Sequence, residues 1–178
     1  MVETESPPAE AEVFWPGVRS ALDEALTRLV RMREREGAHL ARDLKRRVAA
    51  LRRLVIQVQR LAPGVARRYQ EQLCERLRQA GVAGLVADDE RLLKEVAIFA
   101  DRSDVSEELT RLHSHFRQFD DCLGSDEPVG RTLDFLAQEI NREVNTIGSK
   151  ANDGAIAGAV VALKAELEKF REQVQNIE

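Results

Sequence analysis

The spacing of apolar side chains predicts a chain built almost entirely of amphipathic helices. Apolar residues recur every three or four positions from Val18 to Val58, which is the spacing of one face of an α-helix. Only Gly37 interrupts this run, so we expect one long helix over about 17–61. No segment shows the alternation of a half-buried strand. The pattern predicts an all-α fold that begins with a long helical arm.

Proline and glycine divide the rest of the chain into shorter helices. Pro63 and Gly64 end the arm, and a helix predicted over about 65–80 folds back along it as an antiparallel hairpin. The later helices are predicted over about 89–122, 129–148 and 154–178.

These elements group into three parts. The Glu-, Pro- and Ala-rich residues 1–13 are expected to be a disordered leader. Residues 14–87 form the helical arm or hairpin, and residues 88–178 form a C-terminal helical bundle.

Charge is distributed unevenly, although the net charge is only −4. Residues 17–80 carry sixteen Lys and Arg against seven Asp and Glu, whereas residues 81–178 carry eleven against twenty. Either the basic and acidic parts attract each other, within or between subunits, or the basic part binds a polyanion. The charge pattern leaves both interpretations open.

The sequence lacks the features of several protein classes. No run of 18 apolar residues is present that could cross a membrane, and the first residues do not form a secretory signal. Cys74 and Cys122 are far apart in helical patterns, so we expect reduced thiols rather than a disulfide or zinc site. Gly-rich phosphate loops and Ser-His-Asp motifs are absent. A cytoplasmic location fits these features best.

A polar stripe borders the apolar face of the helix predicted over 89–122. Helical periodicity places Asp101, Asp104, Glu108, Arg111 and His115 on this stripe, with Glu107 beside it. Its carboxylates could hold a divalent cation, which could activate water for attack on a phosphodiester. The stripe could equally be a ladder of ion pairs, because Glu107 and Glu108 stand four and three residues before Arg111.

The helix predicted over 129–148 carries a second polar stripe of different chemistry. Its members are Arg131, Gln138, Arg142, Asn145 and Ser149, with Lys150 just beyond. All of them can donate hydrogen bonds to phosphate, and arginine can do so with two parallel bonds. Contact with phosphate and a tight protein interface both remain open.

Two long segments resemble the signature sequences of the YicC/YloC family of bacterial endoribonucleases. The first is KEVAIFADRSDVSEELTRLHSH, from Lys94 to His115, and the second is GRTLDFLAQEINREVNTIGSKAND, from Gly130 to Asp153. Further similarity is found at Trp15, Ala25–Leu26, Met32–Gly37 and the C-terminal residues Glu168–Glu178, so the resemblance covers about residues 14–178.

The resemblance implies an endoribonuclease that depends on Mg²⁺ or Mn²⁺ and encloses RNA as a ring-like hexamer. By their positions in the signatures, the candidate catalytic residues are Asp101, Asp104, Glu107, Glu108 and His115. Of these, Asp101, Asp104 and Glu108 are the candidate metal ligands. The candidate RNA contacts are Arg131, Gln138, Arg142, Asn145, Ser149 and Lys150.

One departure from the family pattern changes the expectation. Family members carry an N-terminal α/β domain before this region, and the chain has its acidic leader there instead. We therefore expect a truncated endoribonuclease. The alternative is a non-catalytic module for helical oligomerisation or RNA binding, in which the stripes make subunit or RNA contacts.

Overall fold

The computed structural model describes residues 9–81, 89–125 and 127–177, with side chains from Val13 onward. These residues contain helices and no strand, which confirms the predicted all-α fold. None of the described helices is long and apolar enough to cross a membrane. The elements are α1 (Ala9–Leu61), a 3₁₀ turn (Ala62–Gly64), α2 (Val65–Gln79), α3 (Glu90–Ser103), α4 (Ser106–Cys122), α5 (Gly130–Lys150) and α6 (Gly154–Val174).

The first helix begins earlier than its apolar pattern indicates. α1 starts at Ala9, within the segment 1–13 that was predicted to be a disordered leader, and residues 1–8 lie outside the described residues. Ala and Glu at positions 9–12 are strong helix formers. They favour the helix even though Pro16, which lies inside it, lacks the N–H for one helical hydrogen bond.

The chain divides into two compact units, residues 1–42 and 43–178, and the boundary lies within α1. In the first unit every described side chain from Val13 to His39 is exposed, including large apolar ones. The helical core belongs to the second unit. The predicted boundary near residues 87 and 88 falls on 82–88, which lie outside the described residues.

The core of the second unit combines one face of α1 with α4, α5 and α6. Buried positions on α1 recur at alternating four- and three-residue intervals, at Leu44, Val48, Leu51, Val55 and Val58. α5 packs against both α4 and α6. The Arg52 guanidinium on α1 donates to the carbonyl of Phe116 on α4 at 2.9 Å. These contacts place α4 and α5 side by side on this core.

The second helix packs mainly on the third. The rings of Tyr69 on α2 and Phe99 on α3 are stacked, with their centres 3.7 Å apart. Arg68 Nε donates to Asp153 Oδ2 at 2.7 Å, which ties α2 to the N-cap residue of α6. The α2–α3 pair is thereby held to the bundle by a salt bridge.

The helix predicted over 89–122 is two helices. The chain leaves helical geometry at Asp104, whose carboxylate accepts hydrogen bonds from the backbone N–H and the hydroxyl of Ser106 at 2.9 and 3.0 Å. An aspartate that bonds the backbone two residues ahead forms a local turn that competes with the helix. The single stripe expected along this segment is therefore divided between α3 and α4.

The turn between α5 and α6 is shorter than its sequence indicates. α5 continues to Lys150, and Asn152 takes a left-handed backbone conformation with φ of 40°. Asp153 then caps α6 by accepting hydrogen bonds from two backbone N–H groups. At Gly148 a Cβ atom would lie 3.0 Å from Val160 Cγ1, so α5 and α6 approach closely there.

The α4–α6 contact offers a test of the core. Phe170 is fully buried and meets Phe119 edge to face with ring centres 5.7 Å apart. We expect Phe170→Ala to lower the free energy of unfolding by about 3–5 kcal/mol, because it removes this packing and leaves a cavity. Urea unfolding measures this value. Val161→Ala, at a position 69% exposed, is the control and should change it by less than about 0.5 kcal/mol. Similar losses in both variants would contradict this packing.

Candidate functional site between helices α4 and α5

Charged side chains of α4 and α5 meet along the line where the two helices pack. Rising residue numbers on α4 pair with falling numbers on α5, so the two helices run antiparallel. On each helix the charged row borders the buried row, since residues three and four apart share a face. We call this set of residues the α4–α5 seam; its members are Glu107, Glu108, Arg111, His115, Glu139, Glu143 and Lys150.

Glu108 and Lys150 form the first pair of the seam. Lys150 Nζ donates to Glu108 Oε1 at 2.6 Å, and the side chain of Glu108 is only 5% exposed. This hydrogen bond raises the pKa of Lys150, against an opposing effect of desolvation. The other oxygen, Glu108 Oε2, is buried and has no hydrogen-bond partner among the described residues.

Arg111 lies between two carboxylates in the middle of the seam. It pairs with Glu107 one turn earlier on α4, and its Nη1 lies 3.4 Å from Oε1 of Glu143 on α5. Glu143 is 3% exposed, so its charge is almost fully withdrawn from water. The hydrogen bond to Glu143, followed by the charges of both glutamates, raises the pKa of Arg111. Of the two pairs in the ion-pair interpretation, Glu107–Arg111 is formed, whereas Glu108 pairs with Lys150 instead of Arg111.

His115, Glu139 and Glu143 form a compact group at the other end of the seam. One ligand atom from each residue lies within 4.8 Å of those from the other two. His115 Nδ1 is buried and has no hydrogen-bond partner among the described residues. Among those residues, this is the group of His, Cys, Asp and Glu side chains close enough to share one metal ion.

The three carboxylates expected to bind metal are not brought together in this way. Asp101 and Asp104 are exposed at the end of α3, on the far side of the helix break, and Asp104 is bonded to Ser106. Glu108 is bonded to Lys150. The stripe was predicted from one continuous helix, and the break at Asp104 changes the direction of the residues before it.

The donors expected to contact RNA lie mostly on the exposed face of α5. The side chains of Arg131, Arg142 and Asn145 are exposed and make no hydrogen bond or ion pair within the described part of the chain. Gln138 donates to Asp134 at 2.8 Å, and the Ser149 hydroxyl donates to a backbone carbonyl. Lys150 differs from the rest because it turns toward Glu108.

Sequence reasoning did not assign Glu139 and Glu143 to the site. Their four-residue spacing on α5 matches the four-residue spacing of Glu107, Arg111 and His115 on α4. That matched spacing was the available signal. Only the packing of the two helices shows that the rows face each other.

Comparisons with a family model and with individual proteins point to the same family. Residues 58–178 match the family model described as "Endoribonuclease YicC-like, C-terminal". The whole chain is 39% identical to a Clostridioides difficile protein named "Probable endoribonuclease YicC", covering 61% of that protein. Over 159 residues, 89% of the chain, it is 37% identical to a Haemophilus influenzae protein of the same name, covering 54% of that protein. The chain thus spans little more than half the length of these relatives.

The turn at Asp104 leads us to predict that the free energy of unfolding depends on pH. Hydrogen bonds from the backbone and then the hydroxyl of Ser106 hold the pKa of Asp104 below its ordinary value of 3.8. A lowered folded-state pKa stabilises the fold above pH 3.8, and this stabilisation is lost as the pH falls through the folded-state value. We expect wild type to exceed Asp104→Asn in free energy of unfolding at pH 6, and the difference to shrink below pH 3.8.

Urea unfolding at a series of pH values measures this difference. Ser106→Ala is a matched control, since it removes one of the two donors and keeps the carboxylate. It should reduce the pH dependence without abolishing it. A difference between wild type and Asp104→Asn that is the same at pH 3 and pH 6 would show that the turn does not stabilise the ionised carboxylate.

Proposed function

Because the chain belongs to the YicC-like endoribonuclease family and matches the C-terminal part of its members, we propose that it cleaves RNA at the α4–α5 seam. The observation that carries this proposal is the α4–α5 seam itself, where ionisable groups are partly buried and incompletely paired. A purely structural ladder would satisfy its buried atoms, as buried polar groups in proteins usually are. Incomplete pairing is typical of functional sites.

The exposed face of α5 is suited to hold the RNA backbone. At about 100° per residue, Arg131, Arg142 and Asn145 form one row along the helix. Glu139 and Glu143 lie about a quarter turn from that row, toward the core. A phosphate held by Arg142 would therefore pass beside the seam, and the unpaired guanidinium offers two parallel hydrogen bonds to it. Gln138, which lies between Arg131 and Arg142 along the helix, and Ser149, beyond Asn145, would add hydrogen bonds to the same row.

The seam provides groups for phosphodiester chemistry. Arg111 is half-exposed and can stabilise negative charge that develops on the phosphate oxygens. A divalent cation, Mg²⁺ or Mn²⁺, would supply Lewis-acid stabilisation of the same charge when bound. Among the residues expected to be catalytic, Glu107, Glu108 and His115 belong to the seam, and Asp101 and Asp104 do not. The catalytic roles of all five stay predictions.

RNA cleavage tests this proposal directly. A 5′-labelled structured RNA is incubated with the chain in Mn²⁺, in Mg²⁺ and in EDTA. We expect cation-dependent cleavage that falls by at least about 100-fold in Glu139→Gln, with RNA affinity unchanged, because a group at the reacting centre is lost. In Arg142→Ala we expect weaker binding and a slope of log affinity against log salt that is smaller by about 0.7, as for one lost phosphate contact.

Two controls separate these effects from general loss of charge. Glu95→Gln removes an exposed carboxylate from α3, and Arg117→Ala removes an exposed guanidinium from α4. Both should behave as wild type. Cleavage that is equal in wild type and Glu139→Gln would place the chemistry elsewhere. Binding without cleavage in any cation would favour the alternative of a non-catalytic RNA-binding module.

A second function, self-assembly, is supported by the exposed apolar residues of the first unit. A single helix rarely exposes so many large apolar side chains unless a partner covers them. The exposed residues are Val13, Phe14, Trp15, Val18, Leu22, Leu26, Leu29, Val30 and Met32. We propose that copies of this chain associate through this helix, in the ring-like hexamer that the family resemblance implies.

Sedimentation measures this association. We expect wild type to sediment as an assembly, and Leu22→Glu with Leu29→Glu to sediment near 20.0 kDa, because buried charge opposes the contact. Ser20→Glu, at an exposed position of the same helix, is the control and should leave the assembly intact. A wild-type chain that sediments as a monomer would contradict this proposal and leave the cleavage proposal untouched.

A further inference from the structure

We propose that His115, Glu139 and Glu143 form a binding site for one divalent transition-metal ion. This inference rests on the proposed function, since it identifies the cation site within the same seam. It assigns the ion to residues other than the three carboxylates that the sequence pattern suggested. The geometry points to it from three independent features.

The first feature is the position of the three ligand atoms. Glu139 and Glu143 stand four residues apart on α5 and so project from one face of that helix, while His115 reaches them from α4. With their ligand atoms all within 4.8 Å of one another, small side-chain adjustments bring all three to a common ion. Sites formed by side chains of facing helices are a recurring way to hold metals inside helical bundles.

The second feature is the state of the imidazole. His115 Nδ1 is buried, yet no described residue donates to it or accepts from it. A buried polar atom without a partner costs free energy that a native fold usually avoids. Nothing in the described part of the chain competes for this nitrogen, and coordination to a metal ion would satisfy it.

The third feature is the charge of the group. Two carboxylates lie close together, and that of Glu143 is nearly removed from water. Among the described residues, the cation paired with this group is Arg111, whose Nη1 lies 3.4 Å from Glu143 and which is shared with Glu107. A divalent cation would compensate both carboxylates, and Arg111 would keep Glu107 as its partner.

The chemistry of the ligands indicates the class of ion. Mg²⁺ and Ca²⁺ prefer sites made of oxygen atoms alone. One imidazole with two carboxylates suits Mn²⁺, Co²⁺ or Zn²⁺ better. Three protein ligands leave further coordination positions open, which is the arrangement of metal sites that act on a substrate rather than hold a fold together.

Metal titration of the purified chain tests the site without any RNA. The chain is purified without a polyhistidine tag. Mn²⁺ and Co²⁺ are titrated into it by calorimetry, and the visible spectrum of Co²⁺ is a second readout. We expect one ion per chain. Loss of one ligand in His115→Gln or Glu139→Gln should weaken binding at least about tenfold, and Mg²⁺ should bind at least about tenfold more weakly than Mn²⁺.

Matched controls identify the ligands. His113→Gln changes the other histidine of α4, and Glu95→Gln removes an exposed carboxylate, so both should bind Mn²⁺ as wild type does. Arg111→Gln should bind Mn²⁺ more tightly, by about tenfold, because a positive charge next to the ion is removed. Circular dichroism in EDTA shows whether each variant is folded. His115 and Glu139 are half-buried, so these changes disturb the core less than a change of the buried Glu143 would.

The outcomes separate this inference from the proposed function. Saturable Mn²⁺ binding that is lost in His115→Gln supports the site even if the chain does not cleave RNA. Absence of saturable binding, or equal affinity in wild type, His115→Gln and Glu139→Gln, overturns the site. If cleavage then still depends on a cation, the proposed function stands and the ion binds elsewhere.

Discussion

Two carboxylates, those of Glu108 and Glu143, are almost fully removed from water between α4 and α5. An ionised carboxylate in a protein interior is strongly destabilising unless a cation and hydrogen bonds compensate it. Lys150 from the end of α5 and Arg111 from the middle of α4 supply those cations. Because each cation comes from the opposite helix, the two pairs fix the position of α4 along the axis of α5. The register of the seam, and with it the place of every other polar group there, depends on these pairs.

The buried polar groups of the seam are not all paired. Glu108 Oε2 and His115 Nδ1 are both buried without partners among the described residues. A pair of apolar residues would fill the same space without that cost, and replacing buried ion pairs in this way is often neutral or stabilising. The seam therefore contributes little that stability alone requires. Its polar groups are better explained by a ligand that completes them.

The sequence predicted the fold well and the site only in outline. Apolar periodicity identified α1, α2, α5 and α6 because burial of one helical face is a local property of spacing. The break at Asp104 was missed because a side-chain hydrogen bond to Ser106, which periodicity does not detect, ends the helix there. Glu107, Glu108 and His115 were assigned to the candidate site from the pattern of a single helix. Glu139 and Glu143 needed the neighbouring helix, since only tertiary packing turns an apparently solvated row of charges inward.

The close approach of α5 to α6 at Gly148 also bears on the position of Lys150. No side chain larger than hydrogen fits there unless Val160 gives way. The backbone of α5 at Gly148 therefore packs closely against the Val160 side chain of α6. Lys150 lies two residues beyond this point, at the end of the same helix. A methyl group added at position 148 would require Val160 or the backbone of α5 to give by a few tenths of an ångström. Any part of that shift taken up by α5 would reach the Lys150 ammonium group, so the steric fit between α5 and α6 is linked to the counter-ion of a buried acid on α4.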